Sequence, residues 1–352
     1  MSAQLYEPVK LAFATAWRTY MGGSNIRALH GQADTEDDYF PEEWIMSTVR
    51  ARNSGREHIV EGQNMLADSS MSFAQLIEEN PVAMLGQEHY DAYGAQLGVL
   101  VKLIDSYERL TVQVHPTREM ARKLFNSEFG KTECWHVLGG RTIDGEEPCI
   151  YFGFKPGITR EYWKDCFDRQ DIPAMLDCLH KWKATPGETY FIEGGIPHAI
   201  GAGCFLVELQ EPTDYTIRVE QTTPKGLAVA DFMCHQGLGF ERMFDCFTYT
   251  GYTREEVEKR WKIPQKGNVI IDSRQTDMFQ LNRITVSGET QSLPCGDRFS
   301  GIFVLSGEGT LNGKPICKGD QYFIPAACAE ATLTGTLDVL QFFGPQCPKK
   351  KG

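Results

Sequence analysis

Residues 184–220 read ATPGETYFIEGGIPHAIGAGCFLVELQEPTDYTIRVE, short β-rich runs with a proline or glycine at nearly every corner. That spacing is the mark of a β-sandwich or barrel and leaves little room for helix. The cadence returns in GEGTLNGKPICKGDQYFIPA (307–326), which reads as a hairpin with an Asn-Gly turn, a strand, a Gly-Asp turn and a further strand. Two related β units are therefore expected. Only the first carries a histidine at the corner: Pro197-His198 stands where the second unit has Pro325-Ala326.

Helical patterns are few and punctuate these runs. Ser72 to Gln75 has the start signal of a short helix stopped at Pro81, and Thr253 to Glu256 starts REEVEKRWK, a connector between the units. Met175, Leu176, Leu179 and Trp182 fall at helical spacing, so about 157–183 is expected as one or two helices inserted over the first unit. The expected fold is mainly β: two jelly-roll-like β-barrels with helical insertions and a helical connector. Residues 1–250 would form the first domain and 251–352 the second.

The chemistry concentrates at 110–138. Gln113 and His115 are two apart in an alternating run, as are Lys131 and Glu133 in KTECWHVL. Side chains at i and i+2 of a strand leave the same face, so each pair can enter one cavity. With His198 they make an N/O donor set suited to a divalent transition metal with a position left for water or substrate. Taken singly, His115 reads as a hydrogen-bonded strand-end histidine, and Lys131 and Arg218 as solvated charges. The constellation is what favours a site. Asp214, Thr216 and Arg218 share a face by the same rule.

The net charge of −12 argues against nucleic acid and anionic membranes as partners. No apolar run is long enough to span a bilayer, and MSAQLYEPVK has no signal-peptide core. Eleven scattered cysteines without a CxxC pair read as reduced thiols, and the expected location is cytoplasmic. The closing PKKKG reads as a solvated tail.

The blocks VQVHP, GKTECW, PHAIGAG and EPTDYTIR, in this order, resemble the signature blocks of the type I mannose-6-phosphate isomerases of the cupin superfamily, in their short bacterial form. LIEENP and Glu-Glu-Trp-x-x-Ser at 42–47 resemble weaker motifs of that family. The resemblance covers about residues 10–220 and follows the final barrel in outline. It implies a zinc-dependent aldose–ketose isomerase acting on mannose-6-phosphate and fructose-6-phosphate through an enediol(ate). One Zn²⁺ would be held by Gln113, His115, Glu133 and His198. Lys131 and Arg218 would be active-site cations, with Asp214 a polar group beside them. The chain departs from the family where Glu211-Pro-Thr precede Asp214 and Val219-Glu220 follow Arg218. The general base stays open among Asp214, Lys131 and a metal-bound water. A cupin isomerase of another sugar, or a metal-binding sugar sensor without activity, are the alternative readings.

Overall fold

The computed structural model describes residues 5–296 and 298–347; the tail PKKKG lies outside the described residues. Its strands assemble into three sheets in which every pairing is antiparallel. One sheet of seven strands has Glu133–Gly140, Cys204–Gln210 and Leu100–Asp105 at its centre, with Thr189–Ile192 on one side and Glu42–Ile45 on the other. A second, of five strands, runs Ile217–Arg218, Gln113–Val114, His198–Ile200, Cys149–Phe154, Leu179–Lys183. Together they form the first β unit. The third sheet, of eight strands, is built on the long pair Ser300–Leu311 and Thr332–Phe343 and forms the second.

Local signals explain most elements. Ser72 caps the helix Phe73–Glu79 by accepting from the Gln75 N–H, and Thr253 and Glu256 form a complete capping box for Arg254–Trp261. Pro81 does not merely stop a helix: it opens the next, Pro81–Leu85, at the first-turn position where its missing N–H costs nothing. Asn312 and Gly313 both have positive φ, the turn that a right-twisted hairpin requires.

The insertion is shorter than its periodicity predicts. Helices Arg160–Asp168 and Ile172–Asp177 are present, but Leu179–Lys183 is a strand paired with Cys149–Phe154. His180 and Trp182 face inward while Lys181 and Lys183 face solvent. That period of two satisfied a free sheet edge, and edge pairing outweighed a local pattern compatible with helix. Trp163 and Trp261 are fully buried and Trp182 nearly so.

Strands cross the boundary expected near residue 250 in both directions. Val9–Leu11 pairs with Gln321–Ile324 of the last sheet, and Lys262–Ile263 extends the first. One apolar cluster joins the units, packing Trp135 and Phe191 with Phe279, Phe303 and Phe323. The second unit is filled by its own aliphatic core, including Ile284, Val304, Leu333 and Val339. At its corner the Ala326 N–H donates to the Met84 carbonyl (2.8 Å), so a helix of the first unit covers the position matching His198. None of the described helices is long and apolar enough to cross a membrane.

Candidate metal centre and active site

Register brings the predicted residues together. In the five-stranded sheet His198 and Arg218 both pair with Gln113, so the three stand side by side on one rung and share a face. Glu133 enters from the facing sheet, where it pairs with Gln210 and Ile192. The crossing needs close backbone contact. A Cβ on Gly130 or Gly194 would lie 2.5 or 2.8 Å from the Pro116 carbonyl oxygen, so only glycine lets both segments wrap the corner after His115.

His115, Glu133 and His198 are buried, with potential ligand atoms all within 4.8 Å of one another. His115 Nδ1 lies 2.9 Å from the Tyr215 carbonyl and His198 Nδ1 2.8 Å from that of Ile196. A carbonyl only accepts, so each Nδ1 carries the proton and each Nε2 is left as a lone pair. His115 Nε2 lies 3.0 Å and His198 Nε2 3.8 Å from the Glu133 carboxylate, and Gln113 Nε2 is 3.4 Å from His198 Nε2. Glu133 Oε1 is buried and receives no well-aligned hydrogen bond from the described residues. Burial drives His115 down to about 3, with the Lys131 ammonium adding to it. Burial would raise the Glu133 carboxyl, yet the Lys131 ammonium 3.2 Å away favours its charged form. Two neutral imidazoles and a carboxylate thus turn lone pairs on a common point, which suits a divalent cation and nothing apolar.

Lys131 Nζ stands 3.2 Å from Glu133 Oε1 and 3.4 Å from Thr216 Oγ1. Arg218 donates to the Met233 and Thr216 carbonyls (2.9 and 3.3 Å). It has no ion pair among the described residues, and it lines the cavity beside the centre. Asp214 faces Arg18 rather than Arg218: its oxygens take Arg18 at 3.2 and 3.4 Å and the Arg52 N–H at 3.2 Å. Burial opposes the Asp214 charge, but Arg18 and Lys102 keep its carboxyl well below the usual range.

Three residues of the same chamber, Arg18, Lys102 and Glu208, have no signature among the motifs above, and they meet there Glu42 of the block at 42–47. Lys102, almost wholly buried, lies 3.2 Å from Glu208 and 3.7 Å from Glu42. The Trp135 indole N–H bridges Glu208 (3.0 Å) and Glu133 (3.1 Å). Burial, reinforced by the Glu133 charge, raises the Glu208 carboxyl to about 7. The available signal was a lysine and a glutamate at core-facing positions of strongly apolar runs, GVLVKLID and FLVELQ.

Glu42 accepts from Arg18 Nε (2.9 Å), Tyr20 (2.8 Å) and Trp44 (2.7 Å), and although burial opposes its charge, Arg18 and Lys102 push it down to about 2. A folded-state value below the unfolded one stabilises the fold above the ordinary carboxylate range and ceases to as pH falls through about 2. The contribution is on the order of 3 kcal/mol. Melting temperatures of wild type and Glu42→Gln should therefore differ clearly at neutral pH and converge toward pH 2. A gap that does not narrow would show that this ion pairing is not what stabilises the chamber.

Two family models match the chain: phosphomannose isomerase type I, catalytic domain, over residues 16–131, and mannose-6-phosphate isomerase, cupin domain, over 270–343. A mannose-6-phosphate isomerase of Bacillus subtilis is 28% identical over 262 residues, 69% of this chain and 73% of that protein. A solved structure described as a mannosephosphate isomerase from Archaeoglobus fulgidus superposes with TM-score 0.73 at 19% identity, covering 97% of this chain and 99% of that one. A mannose 6-phosphate isomerase solved with zinc bound superposes with TM-score 0.72 at 15% identity, covering 97% and 100%. At such identities the superpositions speak to the cupin-type fold.

Proposed function

The chain belongs to the type I phosphomannose isomerase family, and from that membership we infer an enzyme that interconverts mannose-6-phosphate and fructose-6-phosphate. We propose zinc as its metal, one per chain, held by Gln113, His115, Glu133 and His198. The observation that carries this reading is the pair of imidazoles locked with Nδ1 protonated, so that both Nε2 lone pairs meet a buried carboxylate. The metal, when bound, polarises the substrate oxygens at C1 and C2 as a Lewis acid.

The reaction moves a proton between C1 and C2 through an enediol(ate), so it needs a proton carrier and donors for the developing oxyanion. Arg218 suits the donor role, because backbone carbonyls orient it and none of the described carboxylates pairs with it. Lys131, beside Glu133 and Thr216, supplies a second cation. For the carrier, Glu208 fits better than Asp214. A carboxyl near 7 can take and return a proton at neutral pH, whereas Asp214 is engaged by Arg18 and held ionised. Asp214 then positions Arg18 and the Arg52 segment. Glu208 accepts the C2 proton of the aldose, Lys102 and the Trp135 N–H keep its carboxyl in place, and the proton returns at C1.

The test is a coupled isomerase assay on mannose-6-phosphate beside free mannose, before and after chelation. Activity on the phosphate should vanish with chelator and return with Zn²⁺. Turnover confined to the free sugar would move the substrate, and an inert protein that still carries metal would favour a sugar sensor. Arg218→Ala should keep its metal content while kcat falls by about 10²–10³, the loss typical of one preorganised oxyanion donor. Unchanged kcat would remove Arg218 from the chemistry.

A further inference from the structure

The chamber beside the metal centre adjoins an outer cavity, and the two share Asn53, Asp214 and Met233 in their walls. Asn53 is 5% exposed, and its amide orientation is determined because Nδ2 donates to the Trp17 carbonyl (2.9 Å) and lies 3.4 Å from Glu61 Oε2. Its Oδ1 is buried and has no hydrogen-bond partner among the described residues. A buried carbonyl oxygen left unpaired costs stability unless a ligand donates to it. A sugar hydroxyl is such a donor.

Arg50 and Arg52 line the outer cavity with Asn53 and are absent from the inner chamber's wall. Arg52 is fixed at the mouth by its backbone N–H on Asp214 and by its guanidinium over the Tyr215 ring, 5.4 Å from the centroid. Among the described residues Arg50 donates only to the backbone carbonyls of Glu57 and Ile59. Neither guanidinium makes an ion pair among the described residues, although Arg18, Lys102, Lys131 and Arg109 of the inner chamber all do. Glu57, also in the outer wall, has its carboxylate tied to the Gly55 N–H at 2.9 Å.

We propose that Arg50 to Asn53 forms the far end of the substrate site. Asn53 Oδ1 accepts a hydroxyl from the middle of the sugar chain. Arg52, with Arg50 beside it, holds the terminal phosphate. The inference rests on the sugar-phosphate reading above, and it accounts for how a chain of net charge −12 retains a dianion. With C1 and C2 at the metal, the phosphate lies at the other end of the carbon skeleton. Besides Arg218 at the metal end, the two guanidinium groups of these walls without an ion pair among the described residues are there, in the planar geometry that suits phosphate oxygens.

The experiment compares metal-loaded wild type with Arg52→Ala, Arg50→Ala/Arg52→Ala and Asn53→Ala. It measures kcat and KM on mannose-6-phosphate and on mannose, and binding of inorganic phosphate by calorimetry. Arg52→Ala should raise KM for mannose-6-phosphate ten- to a hundredfold with a much smaller change in kcat. The preference for phosphorylated over free sugar should fall by a similar factor, and phosphate binding should weaken further in the double variant. Asn53→Ala should lower kcat/KM on both sugars and leave phosphate binding in place. Equal phosphate binding and equal sugar preference in the wild type and the double variant would overturn the assignment, as would a wild type that binds no phosphate. If wild type binds phosphate through these arginines but does not isomerise mannose-6-phosphate, the subsite stands and the proposed reaction falls.

Discussion

His198→Ala protein should leave dialysis without metal and turn over mannose-6-phosphate at least about 10³-fold more slowly than wild type. That factor corresponds to the several kcal/mol of charge stabilisation a bound metal supplies to a developing oxyanion. His198 contributes one Nε2 lone pair, aligned by its Nδ1–H on the Ile196 carbonyl, and alanine removes both. The two remaining potential ligands, His115 and Glu133, would be left with the amide of Gln113, the weakest donor of the four. The fold should survive, because the Ala199 and Ile200 pairings with Cys149–Phe154 are untouched and the lost side chain faces the chamber. Circular dichroism and melting of the variant are therefore part of the measurement. A folded, metal-free His198→Ala enzyme with wild-type kcat would end the metal-dependent reading.

Glu208→Gln should lower kcat by about 10²–10⁴, the usual worth of a positioned general base, and should change the shape of the pH profile. In wild type the base form is needed, so kcat/KM should rise with pH through the range in which the Glu208 carboxyl, raised above the ordinary carboxylate value by burial, loses its proton. Glutamine cannot titrate, and the residual activity should lose that acidic limb. Metal content should not change, since Glu208 is not one of the ligand residues and shares with Glu133 the Trp135 N–H. Lys102 keeps a charge partner in Glu42, at 3.7 Å, which limits the structural cost. An unaltered limb with kcat within about threefold of wild type would show that another group carries the proton.

Much of the centre was legible before any fold was known. Strand alternation is a property of neighbouring peptides, so the pairs Gln113/His115 and Lys131/Glu133 announce a common face from spacing alone. Corners such as Ile196-Pro197-His198, and the Asn312-Gly313 turn, are likewise decided by local φ preferences. Other features depended on pairing between distant segments. Leu179 to Trp182 fits a helix and a strand equally well by composition, and an open sheet edge beside Cys149–Phe154 decided between them. Asp214 and Arg218 have the spacing of an ion pair, yet Arg18, nearly two hundred residues earlier in the chain, takes the carboxylate. Lys102 and Glu208 are adjacent because their strands pair in register, and no local rule connects them.

The residues by themselves thus determined which side chains can act together within a strand, Gln113 with His115 and Lys131 with Glu133, while pairing between strands set His198 beside them. Only the tertiary structure decided their electrostatic character. A carboxyl reaches about 7 at Glu208 and about 2 at Glu42 because burial and neighbouring charge act at short range through a low-dielectric interior. Those neighbours come from strands far apart in the chain, and nothing short of the fold brings them together.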